Sequence, residues 1–302
     1  MSLADLIDAG GARVEAPAAL GERTTYRVGG RAAALVTLAS AADLEELGPL
    51  LASTGLPVVP LGNGSNLLVA DGEHDLVAVH LTGEFAALSW RDDGEGVVVE
   101  AGAALDLPVA ARRLSGEGVV GFEWAVGVPG TFGGAVSMNA GGHGSNMAAS
   151  VTRAHTWRAG PRVWTGEELR FGYRTSALPS DELVTSVTLR LSRGDAATAL
   201  EQIREIVRWR RAHQPGGANA GSVFRNPPGD AAGRLLEAAG LKGVRVASAV
   251  VSPKHANFIL VDAGGRAGDV AALMDLMRGR VAALFGVELV SEHRLVGFGA
   301  DA

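Results

Sequence analysis

Between Trp124 and Gly144 the chain reads WAVGVPGTFGGAVSMNAGGHG, seven glycines and one proline in 21 residues. Glycine loses more chain freedom on folding than any other residue. Such a density inside a domain is stable only where something flat or charged must come close to the backbone. A second cluster, PLGNGSNLLVAD, starts at Pro60. There Gly62 and Gly64 free the backbone directly after a strand pattern, so successive N–H groups can converge on an anion, and Ser65 and Asn66 add donors. Such a loop suits a pyrophosphate. It departs from the G-x-G-x-x-G dinucleotide fingerprint, because Leu67 stands at the third glycine and LLVA reads as strand rather than helix. Taken alone, the loop reads first as a tight hairpin.

The pattern around these clusters predicts an α+β protein. SAADLEELGPLLASTG, from Ser40, has a serine N-cap, early acids, Leu44, Leu47 and Leu51 at helical spacing and a glycine stop. PVVPLG, LLVA, DLVAVHL and GVVVEAG read as short strands, and LDLPVAARRLSGEG as a helix. TRAHTW, PRVWT and ELVTSVTLRLS predict three more strands. At Asp195 the pattern changes to a long helix with Leu200, Ile203 and Val207 on one stripe, and a domain boundary is expected there. Beyond it VASAVVS, FILVD, the helix around GDVAALMDLMRGRVAALFG and the strand VELVSEHRLVGF form a further α+β unit.

Composition narrows the function. A formal charge of −6 argues against a general nucleic-acid binder, and no apolar run reaches the roughly eighteen residues needed to span a bilayer. The N-terminus MSLADLIDAGGARVEAP carries acids early and lacks a basic start with a sustained apolar stretch, so a cytoplasmic location is expected. With no cysteine, disulfides, iron–sulfur clusters, thiolate zinc sites and cysteinyl cofactor attachment are excluded, and no metal site is expected.

The stretch NAGSVFRNPPGD, residues 219 to 230, places Ser222 after two small residues, which in isolation reads as turn chemistry. Its company changes that reading. TTYRVGG from Thr24, LGNGSNLL, GVPGTFGGAVSMNAG, FGYRTS from Phe171, NAGSVFRNP, AGLKG from Ala239, SPKHANFILVD and VELVSEHRLVG follow one another in the order seen in UDP-N-acetylenolpyruvoylglucosamine reductases, also called UDP-N-acetylmuramate dehydrogenases. The chain resembles that family from about residue 20 to 298. The resemblance implies an FAD-binding fold of the vanillyl-alcohol-oxidase (PCMH) type in two subdomains, plus a smaller α+β substrate-binding domain. Mapped here, the FAD-binding region is 1–194 (subdomains about 1–72 and 73–194, rejoined by a C-terminal strand 289–302) and the substrate domain 195–288.

It also implies a reaction: FAD takes hydride from NADPH and passes it to the methylene carbon of an enolpyruvyl ether on a UDP-sugar, leaving a carbanion to be stabilised and protonated. By motif position Ser222 resembles the proton donor, a weak acid made competent by a strongly basic acceptor held in reach. Arg174 matches the arginine beside the substrate carboxylate, where a planar fork can follow two oxygens as they gain charge, although FGYRTS alone would read as a surface arginine. Glu292 matches the third catalytic position. There a raised pKa would let it donate to the enolate, or it would orient Arg174; on its own it reads as a solvated strand residue.

The implied cofactor contacts are Tyr26, Arg27, Gly62, Asn63, Gly64, Ser65, Asn66, Pro129, Gly130, Thr131, Gly133 and Gly134. The first glycine loop holds no histidine or cysteine, so non-covalent FAD is expected. Substrate candidates are Tyr173, Arg225, Asn226, Lys254 and His255, the last equally readable as a packed loop histidine, while His143 reads as structural or incidental. Only 48 positions separate Arg174 from Ser222, which leaves no room for the lid insert that divides the family, so the chain resembles the shorter class. Partners are expected to be the UDP-sugar alone, with no nucleic acid, membrane or obligate protein. The alternative function is an FAD-dependent sugar or alcohol oxidase on the same fold.

Overall fold

A computed structural model describes residues 2–299; the last three positions of the expected closing strand, 300–302, lie outside the described residues. The chain packs into two units, each with its own core. The first takes the N-terminal stretch up to Ala16, Ala34–Gly62 and Asp75–Arg210; the second takes Pro17–Ala33, Asn63–His74 and the chain from Arg211 onward.

In the first unit a four-stranded sheet runs in the order Val14–Glu15, Arg31–Leu38, Glu73–Leu81, Val58–Leu61, the last pair parallel. The helix Ala41–Ser53 covers it. Its Ser40 and Asp43 form the reciprocal capping box, and Leu44, Leu47 and Leu51 are buried as their spacing requires. A Cβ at Gly48 would lie 2.4 Å from Trp157, which brings this helix directly onto the second sheet. That sheet is antiparallel, in the order Pro161–Thr165, Val151–Trp157, Leu183–Arg193, Val97–Gly102, Leu88–Asp92. Against it lies Leu107–Gly116, with Ala110 and Ala111 buried. Phe122 stacks on Phe132 at 5.4 Å and meets Trp124 edge-on, closing the core around the second glycine cluster.

The long helix is Ala196–His213, and the change of unit falls after Arg210, one helix beyond the change of sequence pattern at Asp195. The physical reason is its buried stripe, Ala199, Ile203 and Ile206, of which Ile203 and Ile206 join the first core; Leu200 and Val207 lie half-buried at the stripe's edges.

In the second unit the helix Ala267–Phe285 buries Val270, Leu273, Met277 and Val281 against Ala232–Ala238 and a three-stranded antiparallel sheet, Arg245–Val246, Ala249–Val251, Ile259–Val261. VASAVVS is thus a hairpin instead of one strand, because Ala247 takes φ 43° and turns the chain. The closing segment forms only a three-residue strand, Arg294–Val296, parallel to Leu67–Val69. The helix Ala267–Phe285 starts at Arg266, which cannot cap it. Asp71 does so from far away in sequence, accepting from the N–H of Ala267 at 3.2 Å and of Gly268 at 3.0 Å. Asp71→Ala should therefore lower stability by about 1 kcal/mol and Asp71→Asn by less, read as downward shifts in thermal melting of the two variants.

Candidate active site

The first glycine loop follows the strand Val58–Leu61. A Cβ on Gly62 would lie 2.6 Å from Thr131 Oγ1, in the same unit. In the second unit, Gly64 sits at φ 62°, and a Cβ there would meet Arg23 O and Thr24 Cα at 2.6 Å. The loop is moulded onto the turn of TTYRVGG. The N–H of Thr25 donates to Gly64 O at 3.2 Å, and Thr24 Oγ1 donates to Gly21 O while accepting from Arg27 N. Arg27 projects from this turn at φ 58° and is exposed, whereas Tyr26 is fully enclosed and offers no surface to a ligand.

Asn66 ties the loop to the closing segment. Its Nδ2 donates to Glu292 O at 3.0 Å, and its carbonyl accepts from Arg294 N at 2.9 Å. The other side of Glu292 is held too: its N–H donates to Val223 O at 2.8 Å, and Phe224 pairs with Ser291. Ser222 and Glu292, both half-buried, therefore lie on neighbouring backbones of one unit. Ser222 follows Gly221 at φ 81°, whose N–H donates to Asn219 Oδ1 at 3.1 Å, an Asx turn. On its other flank the buried amide of Asn257 imitates a strand. It accepts from Phe224 N at 3.0 Å and donates to Phe224 O at 2.8 Å, while its carbonyl takes the N–H of Val223 at 2.9 Å.

The substrate candidates of this unit are already engaged with the protein. Asn226 Oδ1 accepts from Ala232 N at 3.0 Å, at the head of the helix Ala232–Ala238. Lys254 Nζ donates to Arg211 O at 2.5 Å. His255 Nδ1 accepts from Asn257 N at 3.2 Å, and its ring lies over Gly233 and edge-on to Phe258 at 4.9 Å. Desolvation by burial lowers its pKa from the ordinary histidine value. It is packed as a loop histidine while retaining part of its surface. Arg225 is half-buried, and its N–H donates to Val290 O at 2.9 Å.

In the first unit Gly130, at φ 122°, accepts from Leu107 N at 3.0 Å, and the N–H groups of Phe132 and Gly133 donate to Leu105 O and Ala103 O. Thr131 is buried, Pro129 and Gly134 are exposed, and a Cβ on Gly134 would meet nothing within 4 Å. The glycine-rich run then turns into the helix Phe132–Ser137. Asn139, at φ 45° and buried, accepts from Ala148 N and donates to Gly172 O at 2.8 Å, joining this cluster to FGYRTS. Arg174 stands at φ 56° in the Gly172–Thr175 turn, and its Nη2 donates to Gly141 O at 3.0 Å. Its guanidinium carbon lies 5.5 Å from the ring centre of Tyr173, which is 56% exposed. His143 packs edge-on to Trp209 at 5.2 Å. The structure thus gathers Arg174 with the second glycine cluster, and Ser222 and Glu292 with the loop Asn63–Asn66. Among the described residues no group of three or more histidines and acids could hold a metal, and no helix is long and apolar enough to cross a membrane.

The chain is similar to known proteins over most of its length. Residues 213–296 match the UDP-N-acetylenolpyruvoylglucosamine reductase C-terminal domain and residues 32–162 an FAD binding domain. UDP-N-acetylenolpyruvoylglucosamine reductase 2 of Symbiobacterium thermophilum is 42% identical over 94% of this chain and 92% of its own length. The reductase of Rubrobacter xylanophilus is 41% identical over 91% and 92%. The chain belongs to the UDP-N-acetylenolpyruvoylglucosamine reductase family. The crystal structure of the reductase from Thermus caldophilus superposes with a TM-score of 0.80 at 36% identity, covering 94% of this chain and 99% of that one. The fold is accordingly the α+β, FAD-binding architecture of these flavin-dependent oxidoreductases.

Two site residues escape sequence reasoning. Asn257 lies inside SPKHANFILVD, but nothing in the pattern tells a buried bidentate amide from a loop asparagine. His293, in SEHRLVG, is 5% exposed and meets the Tyr26 ring edge-on at 5.6 Å. Burial pushes its pKa from 6.5 down to about 4, against a smaller raising effect of the Ala220 backbone. A base whose folded pKa lies below its unfolded value gives its full stability above the unfolded pKa and loses it as pH falls through the folded one. Stability should therefore fall by up to about 3 kcal/mol between pH 6.5 and 4, a loss that a His293→Phe variant lacks in denaturant titrations at the two pH values.

Proposed function

We propose that this chain reduces UDP-N-acetylglucosamine enolpyruvate to UDP-N-acetylmuramate in peptidoglycan precursor synthesis, with NADPH as hydride donor and dissociable FAD as carrier, in the cytoplasm. One observation carries the reading: Asn66, in the glycine loop, and Val223, next to Ser222, hold the two sides of the Glu292 peptide. The residues present fit a flavin dinucleotide. Gly62 and Gly64 leave no room for a Cβ, Gly64 and Gly130 adopt positive φ, and Asn63, Ser65 and Asn66 supply polar groups along an anion-compatible loop. Arg27, Pro129, Thr131, Gly133 and Gly134 complete the proposed contact set, and Tyr26 supports it from inside. When bound, FAD supplies a hydride to the methylene carbon of the enolpyruvyl ether.

The chain's own residues then manage the resulting charge. Arg174, held by Gly141 at one nitrogen, presents a permanently charged fork to the substrate carboxylate, which gains negative charge as the neighbouring carbon becomes a carbanion. At about 4 Å and an effective dielectric near 20 such a charge is worth roughly 4 kcal/mol before desolvation. Ser222 delivers its hydroxyl proton to that carbon. Glu292 stabilises the enolate as a protonated donor or orients Arg174. Tyr173, Arg225, Asn226, Lys254 and His255 are assigned to the UDP-sugar, the last three while keeping the protein contacts described above.

The functional division proposed, FAD-binding 1–194 and substrate-binding 195–288, differs from the packing division, because Pro17–Ala33 and Asn63–His74 pack with the second core. From Arg174 to Ser222 the chain forms one strand, Leu183–Arg193, and one helix, Ala196–His213, which supports the shorter, lidless class. Stopped-flow spectroscopy of the two half-reactions tests the assignment. Ser222→Ala should leave flavin reduction by NADPH within about twofold and slow reoxidation by the enolpyruvyl substrate by at least roughly a hundredfold; equal losses in both would make Ser222 a structural serine. Arg174→Lys, which keeps the charge but not the fork, should cost at least about tenfold in kcat/KM; near-native turnover would remove the bidentate role.

A further inference from the structure

Three consecutive peptides, from Ser222 to Arg225, are each held by one residue, Asn257. The Ser222–Val223 peptide donates its N–H to Asn257 O at 2.9 Å. The Val223–Phe224 peptide donates its N–H to Asn257 Oδ1 at 3.0 Å, and the Phe224–Arg225 peptide accepts at Phe224 O from Asn257 Nδ2 at 2.8 Å. The closing segment holds the other side of the last two: Val223 O accepts from Glu292 N at 2.8 Å, and Arg225 N donates to Val290 O at 2.9 Å. Residues 222–225 thus run as a middle strand, with Asn257 along one edge and 290–292 along the other, where Phe224 and Ser291 form an antiparallel bridge.

An asparagine stands at that edge because the chain there cannot run as a strand. The buried Ser252 Oγ accepts from Lys254 N at 3.1 Å and His255 N at 3.4 Å, and His255 O accepts from Phe258 N at 3.1 Å, so the loop curls. One residue reaches the strand, and its amide, with a donor and an acceptor in one plane, makes the bonds that a neighbouring peptide would have made. Asn257 is 3% exposed and Phe224 1%, so water does not substitute for either group.

The Ser222 carbonyl and the Val223 N–H share one planar peptide, so holding that plane fixes the direction in which the serine side chain leaves the backbone. The residue before the serine, Gly221 at φ 81°, is the permissive one. Asn257 also donates its own N–H to His255 Nδ1 at 3.2 Å, which joins the loop carrying Lys254 and His255 to the strand carrying Ser222.

We propose that Asn257 is a positioning residue of the reaction: its side-chain amide holds Ser222 at the angle, relative to Glu292, from which the serine proton reaches the substrate carbon. The inference rests on Ser222 being the proton donor. Enclosed as it is, Asn257 acts through the serine.

The holoenzyme tests it by stopped-flow spectroscopy. Asn257→Leu keeps the shape and removes both amide groups, while Asn257→Ser is too short to span both Phe224 groups. Each should slow reoxidation of reduced flavin by the enolpyruvyl substrate about tenfold or more, a loss at least about fivefold larger than any in flavin reduction by NADPH. The Ser222→Ala background gives a readout that a packing role would not move. A residue acting only through the serine has nothing left to act on there, so adding Asn257→Leu should change reoxidation by less than about threefold. Losses that multiply in the double variant overturn the proposal, as does an Asn257→Leu variant that melts lower yet reoxidises at the native rate. Asn257→Ser, alone and with Ser222→Ala, decides if Asn257→Leu is not recovered folded. A native reoxidation rate in Ser222→Ala removes the proton-donor assignment and this proposal with it, whereas a slow Ser222→Ala beside a fast Asn257→Leu removes only the positioning role.

Discussion

The peptide of Glu292 is gripped from both sides, by the Asn66 amide at 3.0 Å on its carbonyl and by the Val223 carbonyl at 2.8 Å on its N–H. The second unit's proposed catalytic residues, Ser222 and Glu292, are tied together by that grip. Once it is made, the glycine loop, the serine and the glutamate cannot move independently, because each is at most one residue from a shared hydrogen bond. The loop is glycine-rich for shape and not for mobility: Gly64 carries a positive φ against the backbone of Arg23 and Thr24, where a side chain has no space. Arg294–Val296 then pairs with Leu67–Val69 and continues the register into a short parallel strand pair. A misplacement of about 1 Å can cost a hundredfold in rate, so such a clamp bears on turnover as much as on stability.

Most of the regular elements were legible because their patterns are local. Ser40 and Asp43 announce a capping box, and the leucines after them announce the face that it buries. What stayed hidden depends on partners distant in sequence. The strand Arg31–Leu38 reads RAAALVTL, whose alanines carry little β preference; its neighbours Glu73–Leu81 and Val14–Glu15 make it a strand. The turn at Ala247 takes a backbone conformation that sequence rules reserve for glycine or asparagine. Ser248 beside it is held by Asp269, in the first turn of the helix Ala267–Phe285. The long helix turns Ile203 and Ile206 into the first core, so the packing unit changes after Arg210. The site motifs were legible as a set, since their order along the chain is itself information. The roles within them were not: TTYRVGG contains one residue that projects, Arg27, and one that is enclosed, Tyr26, and only packing tells them apart.

Backbone strain marks the same places. Of the six non-glycine residues at positive φ among those described, Arg27, Asn139, His143 and Arg174 all belong to the motif segments around the two glycine clusters. Each left-handed residue with a Cβ costs of order 1 kcal/mol, and glycine would remove the cost. At Arg174 glycine would also remove the guanidinium. The sequence keeps the strained residue there, and the surroundings hold it: Asn139 fastens Gly172, Gly172 pairs with Thr175, and Gly141 accepts one guanidinium nitrogen. At Asn139 and Arg174 the strain is offset by hydrogen bonds to neighbouring backbone.

The serine poses the opposite problem, since a hydroxyl has no charge or fork to define its direction. Its orientation must come from the backbone, and the backbone before it is permissive: Gly221 could adopt many conformations, and Asn219 restrains it through one Asx-turn hydrogen bond. Downstream restraint is strong, because Asn257 fixes Val223 and Phe224 with three hydrogen bonds. Upstream, Ala220 is itself buried, in the second core with Val223 and Phe224.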